Sequence, residues 1–172
     1  MKTSILALAA IGAAFALPPV SLAGPPPKVQ VDVTYVSPEN FSDFKDSFLE
    51  TEKGREWLES QLTAHLKKMA QDLVPAGTKL EVKFTDINLA GEYEPQRGPR
   101  FDDVRIFREI YPPRMTLQFR LLDADGKEIA RGERRIIDTN FQFNAAPYDN
   151  DPLRYDKVLL TDWLRTEFRK KA

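Results

Sequence analysis

Met115, Leu117, Phe119 and Leu121 are apolar, and Thr116, Gln118 and Arg120 between them are polar. This period of two fits a β-strand with one face on a core and one in water, and it fits no helix. Asp123-Ala-Asp-Gly126 follows as a hairpin turn, and Lys127–Ile137 is predicted to return beside the first strand. Gly132, in the middle of the return strand, predicts a bulge or a close backbone approach. A chain built around this hairpin needs a second layer to cover its apolar face.

Two further stretches supply strands. Val29, Val31, Val33 and Tyr35 alternate with Gln30, Asp32 and Thr34 until Ser37-Pro38 ends the run. Leu80, Val82 and Phe84 alternate with Glu81, Lys83 and Thr85. There the parity breaks: Ile87 and Leu89 are apolar, and Asp86 and Asn88 would inherit the core side. An unpaired buried carboxylate is costly, so a bulge near Thr85–Asp86, or a strand end, is predicted. Val104–Tyr111 reads as either a short strand or one helical turn. The segments Glu39–Glu50, Gly91–Arg100 and Asp138–Asn150 read as loops, the first with Phe41, Phe44 and Phe48 folded onto the core and the second exposed.

The covering layer is helical. Leu58, Leu62, His65, Leu66, Met69 and Leu73 form one stripe at helical spacing, with Thr51 as N-cap and Pro75-Ala76-Gly77 as the stop. Asp151-Pro152 starts a second helix whose apolar face is Tyr155, Leu159, Leu160, Trp163, Leu164 and Phe168. Arg169, Lys170 and Lys171 suit the end of that helix. The order β-α-β-(β)-β-β-α predicts an α+β two-layer sandwich: a mixed sheet of about four to five strands with two helices on one face.

The N-terminus reads as an address. Lys2 precedes the apolar run Ile5–Leu17, Pro18 and Pro19 end it, and Ser21-Leu22-Ala23 places small residues for cleavage after Ala23. A 13-residue run spans about 20 Å, short of the roughly 30 Å hydrocarbon core, so no transmembrane segment is expected after cleavage. Residues 1–23 are thus expected to be a signal peptide, 24–28 a Pro-rich spacer and 29–172 one domain, with a periplasmic or secreted destination.

Composition removes several chemistries. The 172 residues include no Cys and one His, so disulfides, thiol nucleophiles and two-imidazole sites are excluded. A formal charge of −1 argues against nucleic acid as a partner. Ser37, Ser42, Ser47 and Ser60 lie in no G-x-S-x-G elbow, and His65 sits on the apolar stripe as a packed, hydrogen-bonded residue. No phosphate-binding or dinucleotide motif is present, so no cofactor is expected. Asp123-Ala-Asp125-Gly126 has acids and a glycine, but it lacks the calcium-loop spacing.

Two charge clusters remain. Nine of the 13 arginines lie between residues 97 and 135, and Arg114, Arg120, Arg131, Arg134 and Arg135 are the candidate binding residues for an anionic partner. Cross-strand pairing with Glu109, Glu128 and Glu133 is the structural alternative. The second cluster is acidic: Asp86, Glu92, Glu94, Asp102 and Asp103. Paired carboxylates there would serve a small hydrolase or a calcium-dependent enzyme. The interspersed Arg97, Arg100 and Arg105 favour ordinary solvated ion pairs instead.

Several segments together resemble a known family. They are Asp86-Ile-Asn-Leu-Ala-Gly-Glu92, Asp103-Val-Arg-Ile, Tyr111-Pro-Pro-Arg114, Gly132-Glu133, Asp151-Pro-Leu-Arg-Tyr-Asp-Lys157 and Trp163-Leu-Arg165. In combination they resemble the bacterial secreted domain-of-unknown-function family 3016, over roughly Val29 to Phe168. The resemblance implies an exported, periplasmic, single-domain protein of a Gram-negative bacterium, and it assigns no catalytic, metal or cofactor residue. The expectation is an exported envelope protein acting as a non-enzymatic binding or structural module. Its contact surface would be the arginine-rich sheet together with the loop Gly91–Asp103, and its partner an envelope protein or an anionic envelope component.

Overall fold

A computed structural model of the protein describes residues 27–98, 103–144 and 150–168. The leader, Arg100, Asp102 and the basic residues 169–171 lie outside the described residues.

The elements run β1 (Gln30–Tyr35), α1 (Glu52–Leu73), β2 (Lys79–Asn88), β3 (Glu92–Tyr93), β4 (Arg105–Ile106), β5 (Arg114–Leu122), β6 (Glu128–Ile137) and α2 (Arg154–Phe168). The main sheet has the order β1-β2-β5-β6, and β3 and β4 form a separate two-stranded ribbon. β1 is parallel to β2, with α1 as the crossover, and the remaining pairs are antiparallel. The fold is α+β, with a mixed sheet. The uncertain segment after residue 104 supplies β4 of the ribbon rather than a fifth strand of the main sheet.

Both helices pack on one side of the sheet. Leu58, Leu62 and Leu66 of α1 and Leu160 and Leu164 of α2 close on Leu80, Val82, Phe84, Leu117 and Phe119. Thr51 caps α1, its hydroxyl accepting from the Gly54 amide at 3.0 Å. His65 is buried, and its Nε2 meets Thr161 Oγ1 at 2.8 Å, which ties α1 to α2. Burial lowers the pKa of this imidazole. The Asp151 side chain accepts from the Leu153 amide at 2.8 Å and binds Lys157 Nζ at 2.5 Å.

The parity break in β2 is resolved by a bulge. Phe84 pairs with Leu117 and Asp86 with Thr116, so Thr85 has no partner of its own. Ile87 consequently turns into the core at 0% exposure, and Asp86 stays outside it. Gly132 meets Phe119 closely: a Cβ built there would lie 2.9 Å from the ring.

Two loop expectations need correction. Phe48 is exposed, while Phe44 packs in the core and Phe41 against it. The polar stretch after Gly91 is partly folded inward, because β3 pairs with β4 and buries Tyr93 and Glu94. Phe141 anchors the loop after β6 at 1% exposure, stacked edge-on against Tyr155.

Candidate functional site

Helices cover one face of the main sheet and leave the other bare. Alternation decides which side chains stand on the bare face. From β5 they are Arg114, Thr116, Gln118 and Arg120, and their partners in register on β6 are Ile137, Arg135, Glu133 and Arg131. Glu81 and Lys83 of β2 and Asp32 and Thr34 of β1 continue the surface, which is hollowed into a groove of about 670 Å³.

Arg134 does not belong to this face. It pairs in register with the core residue Leu117, and so points to the helix side. There it forms a bidentate pair with Glu167 of α2, both bonds 2.8 Å long, and lies over the Phe119 ring. Of the candidate arginines, Arg134 thus stands on the opposite side of the sheet from Arg120, Arg131 and Arg135.

The remaining arginines divide into two groups. Arg120 donates to Glu128 at 2.8 Å and to Glu81 at 3.2 Å, and Arg131 lies 3.5 Å from Glu128. Lys79 extends the chain of charges through Asp32 and Glu81. One half of the face is therefore a cross-strand ion-pair ladder. Arg114 and Arg135 stand beyond it at the other end of the hairpin, and neither has a carboxylate partner among the described residues.

The acidic cluster is dispersed. Asp86 accepts from the Ser42 amide at 2.7 Å and from the Ser42 hydroxyl at 3.0 Å, fastening the segment after β1 to the bulge. Glu92 accepts from the Tyr93 amide. Glu94 is buried, with Arg108 at 2.8 Å, Arg97 at 3.3 Å and the Tyr111 hydroxyl donating at 3.1 Å. Asp103 is exposed on the rim of a separate cavity. Among the described residues no group of three or more His, Cys, Asp or Glu is placed to hold a metal ion. No described helix is long and apolar enough to cross a membrane.

A further cluster has no local signal in the sequence. Arg105 is not a solvated ion pair, as its neighbours in sequence implied. It grips Asp43 through both terminal nitrogens at 2.7 and 3.1 Å, and donates to the carbonyls of Lys45, Ala90 and Gly91. Its guanidinium lies 4.6 Å from the centre of the Tyr93 ring. Asp43 is brought there by the bulge region, since its amide and carbonyl bond Ile87 and Leu89. Asp156 of α2 is buried beside this pair. Its Oδ1 accepts from the Ala90 amide at 3.1 Å, and its Oδ2 has no partner among the described residues. Burial pushes its pKa up to about 7.

A family described as "Protein of unknown function (DUF3016)" matches residues 29–166. This chain belongs to that family. The match covers every strand and helix of the DUF3016 domain up to the last turn of α2. No curated protein matches it. Among solved structures, the domain is similar to a variant PelC dodecamer from Paraburkholderia phytofirmans, at 14% identity and a TM-score of 0.32, over 87% of this chain and 95% of that one. It is also similar to a minor lipoprotein from Acinetobacter baumannii, at 11% identity and a TM-score of 0.27, over 83% and 89%. At that level of similarity neither bears on what the DUF3016 domain binds.

Proposed function

We propose that the protein is an exported, non-enzymatic binding module of the cell envelope. It meets an anionic envelope component through the bare face of its sheet. The observation that carries this reading is the pair Arg114 and Arg135, diagonal neighbours on that face without carboxylate partners among the described residues. Guanidinium forks without a carboxylate partner, Arg114 half-buried and Arg135 exposed, suit phosphate and carboxylate oxygens. The ladder through Arg120 holds the neighbouring strands in register and takes Arg120 out of the contact. The export half of the reading rests on the leader pattern Lys2, Ile5–Leu17 and Ser21-Leu22-Ala23.

Two measurements test it. N-terminal sequencing of protein released by osmotic shock is expected to begin at Gly24; recovery of the uncut chain from the cytoplasm defeats the export reading. In sedimentation with phosphatidylglycerol vesicles at low salt, the mature protein is expected to pellet, and R114E/R135E to stay in solution. Arg134→Met, on the helix side, is expected to pellet like the parent. Equal pelleting of parent and R114E/R135E defeats the binding-face reading.

A further inference from the structure

At the end of the molecule where both helices begin, a second cavity of about 750 Å³ opens between α1, α2 and the β3–β4 ribbon. It lies apart from the bare sheet face and shares no lining residue with the groove there. Its size is that of pockets that take small organic ligands. Three aromatic side chains line it: Trp57 from α1, Tyr93 from β3 and Phe107 after β4. Trp57 is 42% exposed, whereas tryptophan is highly buried on average.

The cations of the cavity are arranged in an unusual way. Lys45 is half-buried, with Nζ 5.7 Å from the ring centres of both Phe48 and Tyr93. Arg154 is half-buried, its guanidinium 4.7 Å from the centre of Phe107 and 4.4 Å from that of Tyr155. Lys53 stands exposed on the first turn of α1. None of the three has a carboxylate partner among the described residues, whereas Arg105 below them is neutralised by Asp43. The acids of the lining are Asp46 and Asp103. Asp46 is exposed, its carboxylate lying over Gly54 on the first turn of α1, and Asp103 is out in solvent at the rim. Half-buried cations held on aromatic faces, with no carboxylate partner among the described residues, are a recognition set for a negative group carried on an apolar body.

We infer that this cavity is a binding site for a small organic anion with a flat or apolar body, its charge met by Lys45, Lys53 and Arg154 and its body packed on Trp57, Tyr93 and Phe107. The site is independent of the sheet face, so either can fail without the other.

The probe is 1-anilinonaphthalene-8-sulfonate, an aryl anion, titrated against the folded mature protein, with its neutral analogue N-phenyl-1-naphthylamine alongside. The sulfonate is expected to bind saturably at one site, to quench Trp57, and to bind more tightly than the neutral analogue. Lys53→Glu leaves the packing alone, because Lys53 is exposed, and is expected to weaken the sulfonate about tenfold, the value of one charged contact. Lys45→Met, which keeps the apolar stem over the rings, is expected to do the same. R114E/R135E on the sheet face is expected to bind the sulfonate like the parent. Equal affinity for the two probes, or sulfonate binding unchanged in both lysine variants, overturns the inference.

Discussion

Arg105 of the β3–β4 ribbon closes a bidentate pair on Asp43, 62 residues earlier in the chain, with both side chains almost out of solvent. The same guanidinium takes up three backbone carbonyls, so it joins the segment after β1, the end of β2 and the ribbon. Removing one member leaves the other charge buried and alone. Arg105→Gln is expected to lower stability by about 3–5 kcal/mol. The double variant with Asp43→Asn should lose less than the two single losses combined, as urea denaturation in a double-mutant cycle would reveal. Additive losses would mean that the pair is not a unit.

Asp156 makes stability depend on pH in the direction opposite to most acids. Its carboxyl is raised from 3.8 to about 7, chiefly by burial, while the Ala90 amide and Arg105 pull it down. Between these values the folded protein keeps a proton that the unfolded chain releases. Stability from this group is therefore full below about pH 4, falls as pH rises toward 7, and levels off above it. The largest possible loss is about 4 kcal/mol. Asp156→Asn keeps the acceptor for Ala90 and removes the titration. Thermal unfolding between pH 5 and 8 should then show a flatter profile than the parent and a higher midpoint at pH 8.

Asp86 acts as a fastener for Ser42, on the surface. Asp86→Ala is expected to lose about 1 kcal/mol in chemical denaturation. Vesicle pelleting is expected to be unchanged, since Arg114 and Arg135 remain.

Gly132 is required by the neighbouring strand. Its missing Cβ leaves room for the Phe119 ring, which is itself wedged against Trp163 and Phe168. Gly132→Ala is expected to cost about 1–3 kcal/mol, because the ring has nowhere to move. The Arg134 side chain also crowds that position, but it has a flexible stem, so Arg134→Met should not restore the loss in Gly132→Ala. Restoration by that change would place the strain on Arg134 instead.

The parts of this fold written locally were readable in the sequence. The Met115–Leu121 alternation, the α1 stripe with its Thr51 cap, and the parity break at Thr85–Asp86 each set structure within a few residues. The direction of Arg134 was also written there: Ala130, Gly132 and Ile136 share its parity, and they mark the helix side. The Asp43–Arg105 pair had no such mark, because only the closed fold brings the two together. Asp156 was equally silent. It sits beside the apolar stripe of α2, and its burial is decided by where Ala90 arrives. The helix-end cavity is assembled from segments far apart in the chain, with Lys45, Trp57, Tyr93 and Arg154 converging from separate elements.

The unpaired Thr85 divides the two tasks of its strand. Without it, Phe84 would be followed by Asp86 facing out and Ile87 facing in, an unbroken alternation with the same core contacts. The alternation of the sheet thus does not need this residue, although its hydroxyl donates to the Thr116 carbonyl of β5 at 3.3 Å. What it supplies is a local change of direction, and on that change hang Asp86's hold on Ser42 and the delivery of Asp43 to Arg105. A shortened chain lacking Thr85 would keep its sandwich and lose the alignment of its far end, which makes a single surplus residue the hinge pin between scaffold and ribbon.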